Sequence, residues 1–247
     1  MGDHIMHGIF TAEKWAMLSD NLGKFAEGFA MTLFIVFFGL LLSLTLGILF
    51  GILSVGRLKI LRAAARIYVE FFQNTPLLVQ IFFLYNALPY LGAVMPVTLI
   101  GILGLGFYHG AYMSEVVRTG ITAVPAGQSE AAVSQGFGHL EMMLLIILPQ
   151  ALKVMLPPLA NVSSNLIKNT SILAVIAGGD LMYQADSFAS STLCYGPAYV
   201  TAGILYFIIC FPLTRLSIFM EHRLTAVPEP RDYTALTDQY QNNKEER

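Results

Sequence analysis

Charged side chains are scarce in this chain of 247 residues. Asp, Glu, Lys and Arg make up 12% of it, about half the roughly 25% found in soluble domains. With 55% hydrophobic residues, that scarcity argues against one large soluble core and for a chain that crosses a membrane several times. The net charge of −2 invites no nucleic-acid partner. Cysteine is nearly absent. Cys194 and Cys210 give no disulfide framework, and Cys210, inside an apolar run, reads as packing. No Gly-x-x-x-x-Gly-Lys-Ser/Thr stretch occurs, so the chain has no P-loop to cradle ATP phosphates. His4 and His7 lack companion ligands, and no Ser or His sits in a nucleophile context. No internal repeat is found. Residues 1–20 carry Asp3, Glu13, Lys14 and Asp20 without an apolar stretch, so no cleavable signal is expected.

What is present is length in apolar runs. A helix needs about 20 apolar residues to cross the hydrocarbon core. Five such runs are read: Phe29–Val55, one within Ala63–Leu91, Val97–Val117, Leu152–Ala177 and Tyr199–Phe219. The second and fourth are interrupted by Gln73-Asn74-Thr75-Pro76 and by Lys168-Asn169-Thr170-Ser171. Basic residues fix the expected orientation. Arg57, Lys59, Arg62 and Arg66 follow the first run, and Arg215, Arg223 and Arg231 lie at or after the end of the fifth. The loops at 89–96 and 178–197 hold no Lys or Arg. The expected fold is an all-α polytopic membrane protein of five transmembrane helices, N-terminus outside and C-terminus cytoplasmic. Residues 1–27 read as an amphipathic lead-in at the outer surface with Trp15 at the interface, 28–225 as the transmembrane domain, and 226–247 as a polar cytoplasmic tail. The 119–150 loop is then cytoplasmic.

Several intramembrane features carry both a structural and a functional reading. Gly39, Ser43, Gly47 and Gly51 form a small-residue stripe that suits close helix packing, within the chain or between copies. Pro76, with Asn74 and Thr75 beside it, frees backbone groups that must be satisfied again at membrane depth, and Glu70, Gln73 and Gln80 lie nearby. Either this is an interfacial kink or its face lines a solute path. Glu115 and Arg118, three apart, share a helix face and can pair, or can touch a solute with Tyr112. Lys168 is costly at this depth unless it faces a cavity or a partner such as Glu70 or Glu115. Lys168, Asn169, Thr170 and Ser171 are the leading substrate-site candidates, followed by Arg118, Glu115 and Thr75.

Between the third and fourth runs lies EAAVSQGFGHLEMMLLIILP, Glu130 to Pro149. Ser129 reads as an N-cap and Glu130 as a first-turn carboxylate favoured by the helix dipole. Ala131 and Ala132 would admit a close partner surface, Gly136 would end the short helix, and Phe137 would act as a knob. Leu140–Leu148 is an apolar ramp back to the membrane.

These residues resemble the coupling motif of ABC importer permeases: Glu-Ala-Ala, three residues, Gly, nine residues, Ile, one residue, Leu-Pro. Glu130, Ala131, Ala132, Gly136, Ile146, Leu148 and Pro149 satisfy every spacing. The likeness extends along the chain. FFQNTPLLVQIFFLYNALP at 71–89, AYMSEVVRTGITAVPAGQSEAA at 111–132 and LPQALKVMLPPLANVSSNLIKNTSI at 148–172 are similar to the polar amino-acid group that imports histidine, glutamine, arginine or glutamate. Gln73 stands where that group usually carries arginine. The resemblance implies a permease subunit in the bacterial cytoplasmic (inner) membrane that is not itself an enzyme. It also implies a second permease subunit, identical or similar, a cytoplasmic ABC ATPase dimer docked on segment 123–150, and an amino-acid-binding protein outside. The chain would hold no cofactor, ATP and Mg²⁺ residing in the ATPase. Relatives selective for cationic or amide substrates often carry Asp at the position of Asn169. Asn169 beside Lys168 therefore implies an acidic or neutral amino acid such as glutamate or aspartate. A self-powered secondary transporter of small polar solutes is the alternative, though the inverted repeats typical of that class are missing. A non-transporting scaffold would leave Lys168 unexplained.

Overall fold

The computed structural model describes residues 11–224. The tail expected at 226–247 and the first ten residues lie outside the described residues. Every regular element among the described residues is helical: α1 (Ala12–Ser19), α2 (Leu22–Val55), α3 (Lys59–Asn74), α4 (Leu77–Leu91), α5 (Val97–Thr122), α6 (Ala126–Ser134), α7 (His139–Ile176), α8 (Leu181–Thr192) and α9 (Tyr195–Leu224).

Helices α2, α5, α7 and α9 are each long and apolar enough to cross a membrane. Helices α3 and α4 meet at Thr75-Pro76 with a bend of 100°, so the second expected run is a broken pair rather than one rod. Besides α9, which runs from Tyr195 to Leu224 where Tyr199–Phe219 is expected, four other boundaries differ from expectation. Helix α2 begins at Leu22 instead of Phe29, because Lys24 and Glu27 stay exposed on its surface and do not interrupt it. Among the described residues the separate part of the lead-in is therefore α1. Trp15 packs against the buried cluster that includes Phe25, Leu181 and Phe188. Helix α5 continues to Thr122, and α7 starts at His139 rather than Leu152, so most of the presumed 119–150 loop is helical. The fourth difference is α8, a full helix inside what reads as the 178–197 loop. Its cap is Asp180, whose Oδ2 accepts from the Met182 amide at 3.0 Å.

The stripe on α2 is the main internal seam. Gly39, Ser43, Gly47 and Gly51 are all buried. Ser43 Oγ donates to Gly39 O at 2.7 Å and reaches Gly106 O on α5 at 3.2 Å. A Cβ on Gly47 would sit 2.5 Å from the Met113 Cβ, and one on Gly51 would sit 2.6 Å from the Val117 Cβ. The two backbones approach this closely because neither glycine has a side chain. The stripe is thus an intrachain seam. The opposite face of α2 exposes Phe34, Phe37, Leu41, Ile48 and Ile52, as a lipid-facing surface should. Ile35, Ile81, Leu105, Leu166 and Leu173 form the core where α2, α4, α5 and α7 meet.

Helix α3 docks on α5 through polar contacts. Tyr68 Oη donates to Phe107 O at 2.8 Å, and Gln73 Nε2 donates to Ala111 O at 3.3 Å.

Candidate functional site

The α-helical part of α7 ends at Asn169 and tightens to a 3₁₀ turn over Thr170–Ile176. That change falls beside the middle of α5. A cavity of about 300 Å³ opens there, lined by Tyr108, His109 and Tyr112 from α5 and by Val162, Asn165, Lys168 and Asn169 from α7. Lys168 is exposed and forms no salt bridge among the described residues. The scaffolding pairs considered for it are not made. Glu70 lies 3.8 Å from Arg66, and Glu115 pairs with Arg118.

His109 is 2% exposed. Its Nδ1 lies 3.0 Å from Leu105 O, and its Nε2 lies 3.1 Å from Asn169 Nδ2. The hydroxyls of Tyr108 and Tyr112 are 3.1 Å apart. The cavity therefore holds one cation, several amide and hydroxyl groups, and no lining carboxylate. Chemically it can seat a small polar solute that offers an anion or an acceptor to Lys168.

His109 was not among the sequence candidates. The available signal is an ionisable side chain within an apolar run.

The structure brings together some candidates and separates others. Lys168 and Asn169 share the cavity. Glu115 joins indirectly: with Gln73 and Tyr112 it lines a neighbouring cavity of about 360 Å³, so Tyr112 borders both. Arg118 donates from Nε to Glu115 Oε2 at 2.9 Å, and both lie on a wider cleft of about 860 Å³ with Lys59, Arg62 and Arg66. Thr170 is fully buried. Its hydroxyl donates to Ile167 O at 2.8 Å and lies 3.2 Å from Tyr206 Oη, tying α7 to α9. Ser171 Oγ donates to Lys168 O at 2.8 Å. Neither lines the cavity. Thr75 sits at the α3–α4 bend on an apolar cavity with Phe71, Val79 and Phe107.

Segment 123–150 forms a short exposed helix and a return. Pro125, not Ser129, precedes the first helical residue of α6, so Glu130 lies beyond the first turn. Gly136 has φ +84°. The Gly136 amide donates to Val133 O at 3.0 Å and the Phe137 amide to Ala132 O at 3.1 Å. Those two bonds are a Schellman stop, and its left-handed position suits glycine. Glu130, Ala131, Val133 and Gly136 are exposed. Ala132 is instead 2% exposed and packs with Met142 and Ile147, and Phe137 rests against that cluster. Ala132 and Phe137 hold α6 against the start of α7; the outward face belongs to Glu130, Ala131 and Val133.

Residues 43–225 match the family described as binding-protein-dependent transport system inner membrane component. The chain is 40% identical over 209 residues to a probable glutamine ABC transporter permease protein of Bacillus subtilis (strain 168), covering 85% of this chain and 97% of that one. It is 33% identical over 199 residues to an arginine transport system permease protein of the same organism, covering 80% and 91%. Among solved structures, an amino acid ABC transporter with histidines superposes with a TM-score of 0.79 at 33% identity, covering 87% of this chain and 100% of that one.

Proposed function

The chain belongs to the family of binding-protein-dependent transport system inner membrane components and is an amino-acid ABC permease subunit of the bacterial inner membrane, not an enzyme; from that premise we propose how its parts divide the work. Helices α2, α5, α7 and α9 form the translocation path together with the α3–α4 pair as one bent span, giving five spans. The N-terminus is outside and the C-terminus cytoplasmic, as the basic clusters after α2 and at the end of α9 favour. An ATPase and a binding protein go with the family. In this reading the ATPase pair, holding ATP and Mg²⁺, docks on α6 through Glu130, Ala131 and Gly136. A second permease subunit stands alongside, and the binding protein delivers the amino acid from outside.

The observation that carries the reading is the exposed outer face of α6, closed by the Gly136 stop and braced from behind by Ala132 and Phe137. A lever needs such a piece: rigid behind, open in front, and joined by short turns to the membrane helices α5 and α7. Closure of the ATPase moves α6, and the Ala132–Met142–Ile147 contact passes that motion to α7, which bears Lys168.

The substrate site is the cavity at Lys168 and Asn169. Its single cation opposes arginine and lysine and favours an acidic or neutral polar amino acid. Glutamine, named for the first Bacillus relative, is on the favoured side. Co-purification from native membranes tests the docking. A P-loop ATPase should accompany the wild-type chain and be lost with Gly136→Glu, together with uptake. An ATPase retained at full yield by that variant, with unchanged uptake, would remove the docking assignment.

A further inference from the structure

Two carboxamides line the cavity, Asn165 and Asn169, and Asn169 is the one held by another lining side chain, that of His109. A carboxamide presents two donors at one end and an acceptor at the other. His109 decides between them. Leu105 O, a carbonyl, only accepts, so the His109 Nδ1 that sits 3.0 Å from it carries the proton. A buried imidazole with no carboxylate partner among the described residues is held neutral, because an unpaired charge there is costly. Neutral imidazole protonated at Nδ1 has a lone pair at Nε2. The group 3.1 Å from Nε2 must then be the Asn169 NH₂. Its Oδ1 has no hydrogen-bond partner among the described residues.

We infer that His109 is a positioning residue for substrate selection: it locks the Asn169 carboxamide with its oxygen toward the cavity, so that the site offers a cation and an acceptor side by side. This rests on the amino-acid permease reading above and narrows it. Lys168 and Asn169 are consecutive and line the same cavity. The ligand group that fits them is a side-chain carboxamide, whose oxygen accepts from Lys168 while its NH₂ donates to Asn169 Oδ1. A side-chain carboxylate satisfies Lys168 but turns a second acceptor against Oδ1. A site built around a hydrogen bond rejects the analogue that cannot make it. The substrate class is thus a neutral amide amino acid, and glutamate and aspartate are the competitors excluded.

The test uses the purified permease–ATPase complex in lipid nanodiscs, without the binding protein, so that only the membrane site selects. Radiolabelled L-glutamine is bound and competed with unlabelled L-glutamine or L-glutamate. The wild type should favour glutamine by at least about tenfold, the size expected from one opposed acceptor. His109→Phe, which frees the Asn169 amide to turn, should bring the ratio toward equality. His109→Gln, which keeps an acceptor facing Asn169, should retain most of the preference. Asn169→Leu leaves His109 in place and should lose the preference as His109→Phe does, which covers the case of a His109→Phe chain that fails to accumulate. Equal affinity for both ligands in the wild type, or a ratio unmoved by His109→Phe and Asn169→Leu, overturns the inference while leaving the permease reading intact. A wild-type complex that neither binds nor, with its binding protein restored, imports any amino acid overturns both.

Discussion

The side-chain amide of Gln80 donates to the carbonyl oxygen of Phe72 at 3.1 Å. That oxygen would, in a continuous helix, accept from residue 76. Residue 76 is proline and has no amide hydrogen. The same Gln80 nitrogen also meets Thr75 O at 3.1 Å and Thr75 Oγ1 at 2.8 Å. One buried glutamine therefore caps two of the carbonyls that the α3–α4 break frees, as a break at membrane depth requires. The sharp bend is stable because its acceptors are capped from within the chain.

Gln80→Leu should weaken this bend. The substitution keeps most of the volume and leaves Phe72 O and Thr75 O without their donor. The expected loss is about 1–3 kcal/mol, the usual cost of a buried acceptor left unmade. Hydrogen exchange over residues 70–82 in detergent reads it directly. Exchange there no faster than in the wild type would show that the bend is held by something else.

Gly47→Ala should be poorly tolerated, since its added methyl would sit 2.5 Å from the Met113 Cβ on a neighbouring helix. Repulsion at that distance forces α2 and α5 apart along the whole seam. Gly23→Ala is the matched control, with nothing within 4 Å of the added carbon. The melting temperature in detergent should fall for the first and stay level, or rise slightly from helix propensity, for the second. Equal melting of the two variants would mean that the seam is looser than its geometry.

The difference between what could and could not be read in the sequence follows from what each residue answers to. The stripe on α2 and the existence of four long apolar helices answer to local composition, while the ends of those helices reach beyond the apolar runs. The Gly136 stop answers to its own backbone and was legible too. Ser129 is not the cap because the helix already starts at Ala126 after Pro125, and the inward turn of Ala132 and Phe137 depends on Met142 and Ile147, beyond a turn. The α8 helix was missed because a dozen residues of mixed polarity between membrane spans look like a loop; only the Asp180 cap signalled it. His109 was hidden because its importance lies in a contact with Asn169, 60 positions away in the chain. Pairings at that range leave no pattern in one sequence.

Asp180 makes stability depend on pH. The residue is fully buried, its Oδ1 has no hydrogen-bond partner among the described residues, and burial pushes its pKa up to about 6. The folded state therefore prefers the neutral acid. Its stabilisation is complete below the unfolded value near 3.8 and is lost as the pH rises through about 6. The difference between 3.8 and about 6 corresponds to at most about 3 kcal/mol. Asp180→Asn keeps a capping oxygen for α8 but cannot ionise. Its melting temperature near neutral pH should exceed that of the wild type, and the difference should shrink toward about pH 4. Parallel melting curves across that range would show that water or another group already compensates the charge.

Asn169→Asp should relax the bias against cationic amino acids. Lys168 is the one charged side chain lining the cavity, and a ligand guanidinium or ammonium there meets a like charge. At about 6 Å and an effective dielectric constant of about 20, that repulsion is of order 3 kcal/mol. A carboxylate at residue 169 lies beside Lys168 and cancels its field, whether it pairs with the lysine or with the incoming cation. Arginine should then compete for glutamine binding to the permease–ATPase complex at least about tenfold better than it does in the wild type, given that interaction energy. Glutamine should bind less well, because the aspartate no longer has an NH₂ for His109 Nε2 and loses the fixed orientation of the amide. The two changes together separate charge from hydrogen bonding. Improved arginine competition alone would assign selection to the field of Lys168, weakened glutamine binding alone would assign it to the His109–Asn169 bond, and no change in either would place the selective site elsewhere in the translocation path.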